Sequence, residues 1–249
     1  MNPVKFEEVL QSYKALRCFG IAENLSSLIQ RAEDNQISYL QFAQQLLDQE
    51  FQWRNQKRVA LNQRKAGFPV MKRLDEFDFR AQTTITKKQI ASLMDFSFIE
   101  HRHNVVFIGP PGVGKTHLAI ALGQEALNHG YKVAFFTAMG LMETLDLAEI
   151  QGQLKHKISA LLKYDLILCD ELGYLPINKQ SISNLFQFIN ALYEYRSLIL
   201  TTNKDFTNWG EFFAAENIAV PIVDRIIHHS HIFMMGGESY RLKQKLENR

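Results

Sequence analysis

Three short stretches of this chain carry residue types and spacings suited to phosphate chemistry. Gly109-Pro110-Pro111-Gly112-Val113-Gly114-Lys115-Thr116 follows G-x-x-x-x-G-K-[ST] in full, directly after an apolar run and directly before a helical pattern. Glycines let backbone N–H groups turn inward around phosphate oxygens, and the helix that starts near Lys115 adds the positive end of its dipole. Lys115 reaches β and γ phosphates, Thr116 can ligate Mg2+, and His117 continues the binding segment into the helix. Asp170 and Glu171 close a second apolar run, Leu166–Cys169. At the carboxyl end of a parallel strand Asp170 can hold Mg2+, directly or through water, while Glu171 polarises an attacking water, a pairing that favours hydrolysis over transfer to another acceptor. Taken alone, such acids are as often solvated turn residues; the complete phosphate loop is what favours the chemical reading. Asn203 ends a third apolar run and is within plausible reach of a γ phosphate, where it could orient the water; an isolated Asn after a strand is otherwise a turn former.

These residues need a scaffold, and residues 86–249 read as one. Apolar runs of strand length alternate with amphipathic stretches of helix length, the pattern of βαβ units around a buried parallel sheet, which makes the fold class α/β. Strands are expected at 104–108, 132–136, 166–169, 197–201 and 231–235, with helices at 115–128, 139–148, 153–164, 181–195 and 220–228 and a short one at 87–95. Residues 1–68 read as a small helical domain. Val9, Leu10, Tyr13 and Leu16, then Leu25, Leu28, Ile29 and Ala32, recur at spacings of three and four, and Gly20 is expected to separate two short helices. Ser38 with Gln41 forms a capping box that opens a longer helix running into a basic stretch as far as about Lys65. Residues 69–85 have no clear period and are expected to be a linker that packs on the next domain.

Composition is that of an ordinary globular protein, which excludes collagenous, disordered and low-complexity classes. No apolar stretch approaches the roughly 20 residues of a membrane-spanning helix. The N-terminal residues include Glu7 and Glu8 where a secretory leader has its apolar core, so a cytoplasmic protein with no membrane partner is expected. Two cysteines, Cys18 and Cys169, are too few for a disulfide framework. The net charge of +2 is unevenly spread: residues 1–73 hold 11 bases and 7 acids, and 51–74 hold seven bases and no acid. Arg54, Lys57, Arg58, Arg64 and Lys65 along that helix can neutralise a nucleic-acid backbone without reading sequence, although a solvated helix face or a grip on a neighbouring subunit would look the same. His101, His103, His228, His229 and His231 invite a metal reading, but only Asp224 stands at a helical ligand spacing from one of them, so surface and packing roles are expected.

With these motifs placed, the chain resembles the AAA+ ATPases of the initiator clade, and among them the IstB-like transposition helpers related to DnaC-type helicase loaders. The resemblance covers nearly the whole chain. It rests on Lys65-Ala-Gly-Phe-Pro69, Leu74-Asp-Glu-Phe-Asp-Phe79, Leu93-Met-Asp-Phe96 with Phe98-Ile-Glu100, Asp170-Glu-Leu-Gly-Tyr-Leu-Pro176, Asn208-Trp-Gly210, Asp224-Arg225 with His228-His229, and Gly237-Glu-Ser-Tyr-Arg241. It implies a five-stranded sheet of order 5-1-4-3-2, a helical N-terminal domain, and ATP with Mg2+ bound between subunits of a homo-oligomer on duplex DNA. It further implies that Asn203 is the sensor-1 residue, Arg225 an arginine finger donated to a neighbour's ATP, and Arg241 a sensor-2 arginine. Only 14 residues follow the last expected strand, so the usual helical lid has no room and Arg241 lacks its customary setting. Lys155 and Lys157 fall where the clade inserts a helix facing DNA. The function implied is a DNA-binding ATPase that assists the transposase of an insertion sequence; the alternative is a replicative helicase loader, and a P-loop kinase is disfavoured by the water-activating acids.

Overall fold

The computed structural model describes residues 5–173, 178–205, 209, 216–240 and 242. The chain forms two compact units, Met1–Leu61 and Asn62–Arg249.

The first unit is helical. α1 (Phe6–Ala15) and α2 (Phe19–Asp34) precede α3 (Tyr39–Ala66), which runs on past the division between the units. Ser38 and Gln41 make the reciprocal bonds of a capping box at the start of α3. The break between α1 and α2 is not at Gly20. It falls at Leu16–Cys18, where Arg17 takes φ +58°, and Gly20 lies inside α2 because only a residue without a Cβ allows the close approach to Trp53 and the Gln49 carbonyl. The core of the unit is small: among its described residues Ile21, Leu25 and Leu28 are the buried apolar ones. Glu50, also buried, anchors it by accepting from the Ile21 N–H at 3.1 Å and from Arg54 Nε at 2.7 Å. A carboxylate at the first turn of α2 meets the positive end of that helix.

The second unit is a parallel five-stranded sheet covered on both faces. Its strands are β1 (Asn104–Ile108), β2 (Val133–Thr137), β3 (Leu166–Leu172), β4 (Ser197–Thr202) and β5 (Ser230–Met234), in the order β2-β3-β4-β1-β5. This is the order 5-1-4-3-2 read from the other edge. Among the described residues its helices include α4 (Lys87–Ala91), α5 (Ser97–Glu100), α6 (Lys115–Asn128), α7 (Ala138–Ile150), α8 (Leu154–Leu161), α9 (Lys179–Leu192) and α10 (Glu216–Ile227). Strand alternation divides the core in two. Val106, Ile108, Ile167, Leu198 and Leu200 pack under α7 to α10, while Val105, Phe107, Leu166, Leu168 and Ile199 pack under α6 and the α4–α5 region. Both layers are apolar because a parallel sheet carries its crossover helices on both faces.

Several boundaries differ from sequence expectation, among them those of β3, α10 and α4. β3 continues three residues past Cys169, through the acids, by way of an irregularity described below. α10 begins at Glu216, not at Val220, and so carries Pro221 in its interior, where proline normally argues for a helix start. α4 is shorter than expected, ending at Ala91; a separate turn, α5, follows after Phe96 takes φ +57°. Residues 69–85 form no helix or strand; Phe68, Leu74, Phe77 and Phe79 pack against the α6 side of the core.

Candidate nucleotide site

β1 delivers the chain to the loop 109–114 at its carboxyl end, and α6 starts at Lys115. Gly112 and Gly114 take φ of +86° and +96°, in the left-handed region that side chains resist, and a Cβ on Gly114 would run into the Phe77 ring. Lys115 is buried, and its Nζ donates to the carbonyls of Gly109 at 2.7 Å and Pro110 at 2.8 Å. The chain order of the sheet puts β4 between β1 and β3, so the loop after β1 and the acids of β3 flank the end of β4.

Side chains close that gap. Thr116 Oγ1 on α6 donates to Asp170 Oδ1 at 2.9 Å, and Thr201 Oγ1 on β4 donates to the same oxygen at 2.5 Å. Glu171 takes φ +65°, uncommon for a residue with a side chain, at a bulge in β3: Cys169 pairs with Leu200, but the next pairing is Leu172 with Thr202, one residue out of step. The Glu171 N–H, displaced from the ladder, donates to Thr201 Oγ1 at 2.9 Å. Asp170 is thereby buried and Glu171 exposed. Cys169, fully enclosed, has its thiol pushed up to about 12 by burial and then by the neighbouring Asp170 charge, so it stays protonated and inert.

A cavity of about 400 Å³ opens between the phosphate loop, Glu171 and Thr201 on one side and the 70–82 segment with Glu238 and Tyr240 on the other. Its size suits a nucleotide-sized ligand. The 70–82 segment straps onto the loop. Gln82 Nε2 donates to the Val113 carbonyl at 2.6 Å, His117 Nε2 pairs with the Arg73 carbonyl at 2.8 Å, and the Phe77 ring stands edge-on to His117 at 5.3 Å. On the far side the Tyr240 N–H donates to the Gly112 carbonyl at 3.1 Å. Gln82 Oε1 and Asn203 Oδ1 are buried and take no hydrogen bond among the described residues. A hydroxyl and a carboxylate already sharing a hydrogen bond, beside a loop with two glycines in the left-handed region, form a donor set that fits a triphosphate with a hard cation.

The remaining residues named from sequence are more dispersed. Asn203 follows β4 but is not among the residues lining the cavity, where Thr201 is. Arg225 is held within its own chain: its Nε donates to Asn190 Oδ1 at 3.1 Å, its Nη1 to the Pro221 carbonyl at 3.0 Å, and it lies 5.4 Å from the Phe186 ring centroid. Arg241 lies outside the described residues. On α3, Arg54 is tied to Glu50 and the Arg17 carbonyl and Lys57 sits 5.1 Å over the Trp53 ring, while Arg64 and Lys65 are exposed; Arg58 bonds Asn55 at 2.8 Å. Lys155 is exposed and Lys157 half-buried on α8. The five histidines gather at the amino end of the sheet, His103 stacking on His229 with centroids 5.4 Å apart. Sequence reasoning passed over Thr201, Gln82 and Phe77. A threonine in a buried strand gives no local signal, whereas an aromatic and an amide in an aperiodic segment just upstream of a phosphate loop could have suggested a strap.

A parallel sheet of this order, with a phosphate loop after β1 and adjacent acids near the end of β3, defines a P-loop fold of the AAA+ type. The solved DnaC helicase loader shares the fold, with a TM-score of 0.52 and 21% identity over 66% of this chain and 96% of that one. The chain belongs to the family of IstB-like ATP-binding proteins, which it matches over residues 11–248. It is 40% identical over 225 residues to an ATP-binding protein of insertion sequence IS5376 from Geobacillus stearothermophilus, covering 90% of each chain. It is 39% identical over 238 residues to one of insertion sequence IS21 from Pseudomonas aeruginosa, covering 96% of this chain and 89% of that one. Among the described residues no helix is long and apolar enough to cross a membrane.

Proposed function

We propose that the chain hydrolyses ATP, assembles on duplex DNA as a homo-oligomer, and assists the transposase of an insertion sequence. The observation that carries the hydrolysis is the Asp170–Thr116 hydrogen bond beside a Glu171 that the bulge turns out to the cavity. Backbone N–H groups of the glycine loop and Lys115 bind the β and γ phosphates, with Lys115 Nζ exchanging loop carbonyls for phosphate oxygens. Thr116 and Asp170 would hold Mg2+, which when bound offsets phosphate charge. Glu171 accepts a proton from the attacking water, and Asn203 orients that water.

Arg225 acts on a neighbour's ATP, which makes turnover depend on assembly: a delocalised guanidinium suits the charge that develops on the γ phosphoryl group. Its support by Asn190 and the Phe186 ring favours a pre-set direction over a free side chain. The relatives' association with insertion sequences supports a transposase partner. The bases of α3, with Lys155 and Lys157, supply phosphate contacts.

ATP turnover by the wild type and Glu171→Gln tests the chemistry. Light scattering and electron microscopy with a non-hydrolysable ATP analogue, on duplex or single-stranded DNA at stated salt, test the assembly. Large particles on duplex support the reading; assembly on single strands alone would support a helicase loader instead, and a monomer in every condition would remove Arg225 from catalysis.

A further inference from the structure

A strand that bulges in a parallel sheet leaves a backbone N–H without its ladder acceptor, and buried N–H groups are seldom left so. Here the displaced group is the N–H of Glu171, and its acceptor is a side chain: Thr201 Oγ1 at 2.9 Å. The same hydroxyl spends its proton on Asp170 Oδ1 at 2.5 Å. Thr201 is 1% exposed and sits on β4, between the strand that feeds the phosphate loop and the strand that carries the acids. One oxygen thus fixes both neighbours on β3: it donates to the acid facing Thr116 and accepts from the acid facing the cavity. The left-handed φ of Glu171 is a conformation that residues with side chains leave unless something holds it.

We propose that Thr201 is a positioning residue that sets Glu171 for catalysis, by pinning the bulge that points its carboxylate into the nucleotide cavity while tying it to Asp170. This rests on the ATP-hydrolysis reading above. A valine at 201 keeps the shape and removes both bonds; a serine keeps both bonds and removes a methyl group.

The test compares the full-length wild type with Thr201→Val and Thr201→Ser in three measurements: affinity for a fluorescent ATP analogue with Mg2+, kcat and KM for ATP, and hydrogen exchange at the Glu171 amide in nucleotide-free protein, read by NMR with glutamate-selective nitrogen labelling. For Thr201→Val the expected result is nucleotide affinity and KM near wild type, with kcat lowered on the order of ten- to a hundredfold, as for a displaced catalytic group. The Glu171 amide should exchange faster in the same protein, and Thr201→Ser should restore both. Wild-type kcat with an unchanged Glu171 amide in Thr201→Val would overturn the proposal. A Thr201→Ser as impaired as Thr201→Val would also overturn it, because packing would then explain the loss. A wild type that hydrolyses no ATP would defeat the functional reading separately, and the amide exchange of the two variants would still decide whether Thr201 holds Glu171. Should Thr201→Val fail to fold, Thr201→Cys, with a weak donor and acceptor near the size of serine, is expected to give the same pattern in milder form.

Discussion

Asn104 and Asn203 mark opposite ends of the same sheet, and their amides are treated differently. Asn104, at the amino end of β1, is 6% exposed and spends both sides of its amide on backbone: Nδ2 donates to the Ile226 carbonyl at 2.9 Å and Oδ1 accepts from the Leu198 N–H at 3.0 Å. Ser197 does similar work by donating to the Phe98 carbonyl at 3.1 Å. Asn203, just past the carboxyl end of β4, keeps a buried Oδ1 with no partner among the described residues. Gln82, strapped to the phosphate loop, does the same with its Oε1. At the amino end buried polarity is exhausted in joining elements; at the carboxyl end some of it is left over. Leaving a buried acceptor unpaired costs roughly 1–3 kcal/mol, so such groups gather where a ligand or water can complete them.

The sharpest way to break this contrast is Glu171→Gln at the carboxyl end. ATP turnover is expected to fall roughly a hundredfold or more, the scale of a lost general base, with melting temperature and ATP affinity retained. An unchanged kcat would remove the chemistry from that end. Next in size is Asn104→Ala at the amino end, which strands a buried N–H and a buried carbonyl. A loss of about 2–4 kcal/mol is expected, or on the order of 10 °C in melting temperature for a domain of this size, with kcat at permissive temperature unaffected. Asn203→Ala should give the mirror result: stability unchanged or raised by up to about 1–3 kcal/mol, since an unpaired buried acceptor is removed and no formed bond is lost, and turnover lowered about tenfold. Equal stability losses in Asn104→Ala and Asn203→Ala, read by thermal melts side by side, would erase the distinction.

The smallest effect belongs to the histidines of the amino end. Burial, followed by the nearby His229, His231 and His101, lowers the His103 pKa from its usual 6.5. The unfolded chain therefore binds more protons than the folded one below about pH 6.5, so the stability present above that value is lost as pH falls through the lower folded pKa. His103 is only half-buried, so the change should be slight. Denaturant midpoints at pH 7.5 and 5.5 should separate more for the wild type than for His103→Gln.

The division of labour between these ends also decides what is legible in the sequence alone. Gly109 to Thr116 is legible because its eight residues are contiguous and their context, strand before and helix after, is local. The sheet is legible because each layer is apolar over a whole strand. The tie of Thr201 to Asp170 and Glu171 joins residues about thirty positions apart, through a bulge that no hydrophobic period announces. Gly20 misleads for the same reason: its small size answers to Trp53, on another helix, and the true break lies at Arg17, a residue type with no turn preference. Boundaries at Glu216 and Leu172 were displaced by a tolerated proline and by the bulge, both tertiary in origin.

The enclosure of Cys169 has a practical consequence. Its sulfur is walled into the sheet one residue before Asp170, with its thiol at about 12, while the other cysteine, Cys18, sits half-buried between α1 and α2. An alkylating dye at neutral pH should therefore mark the helical unit first. Labelling of Cys169 requires β3 to come away from its neighbours, and its rate is a clock for how often the parallel sheet opens.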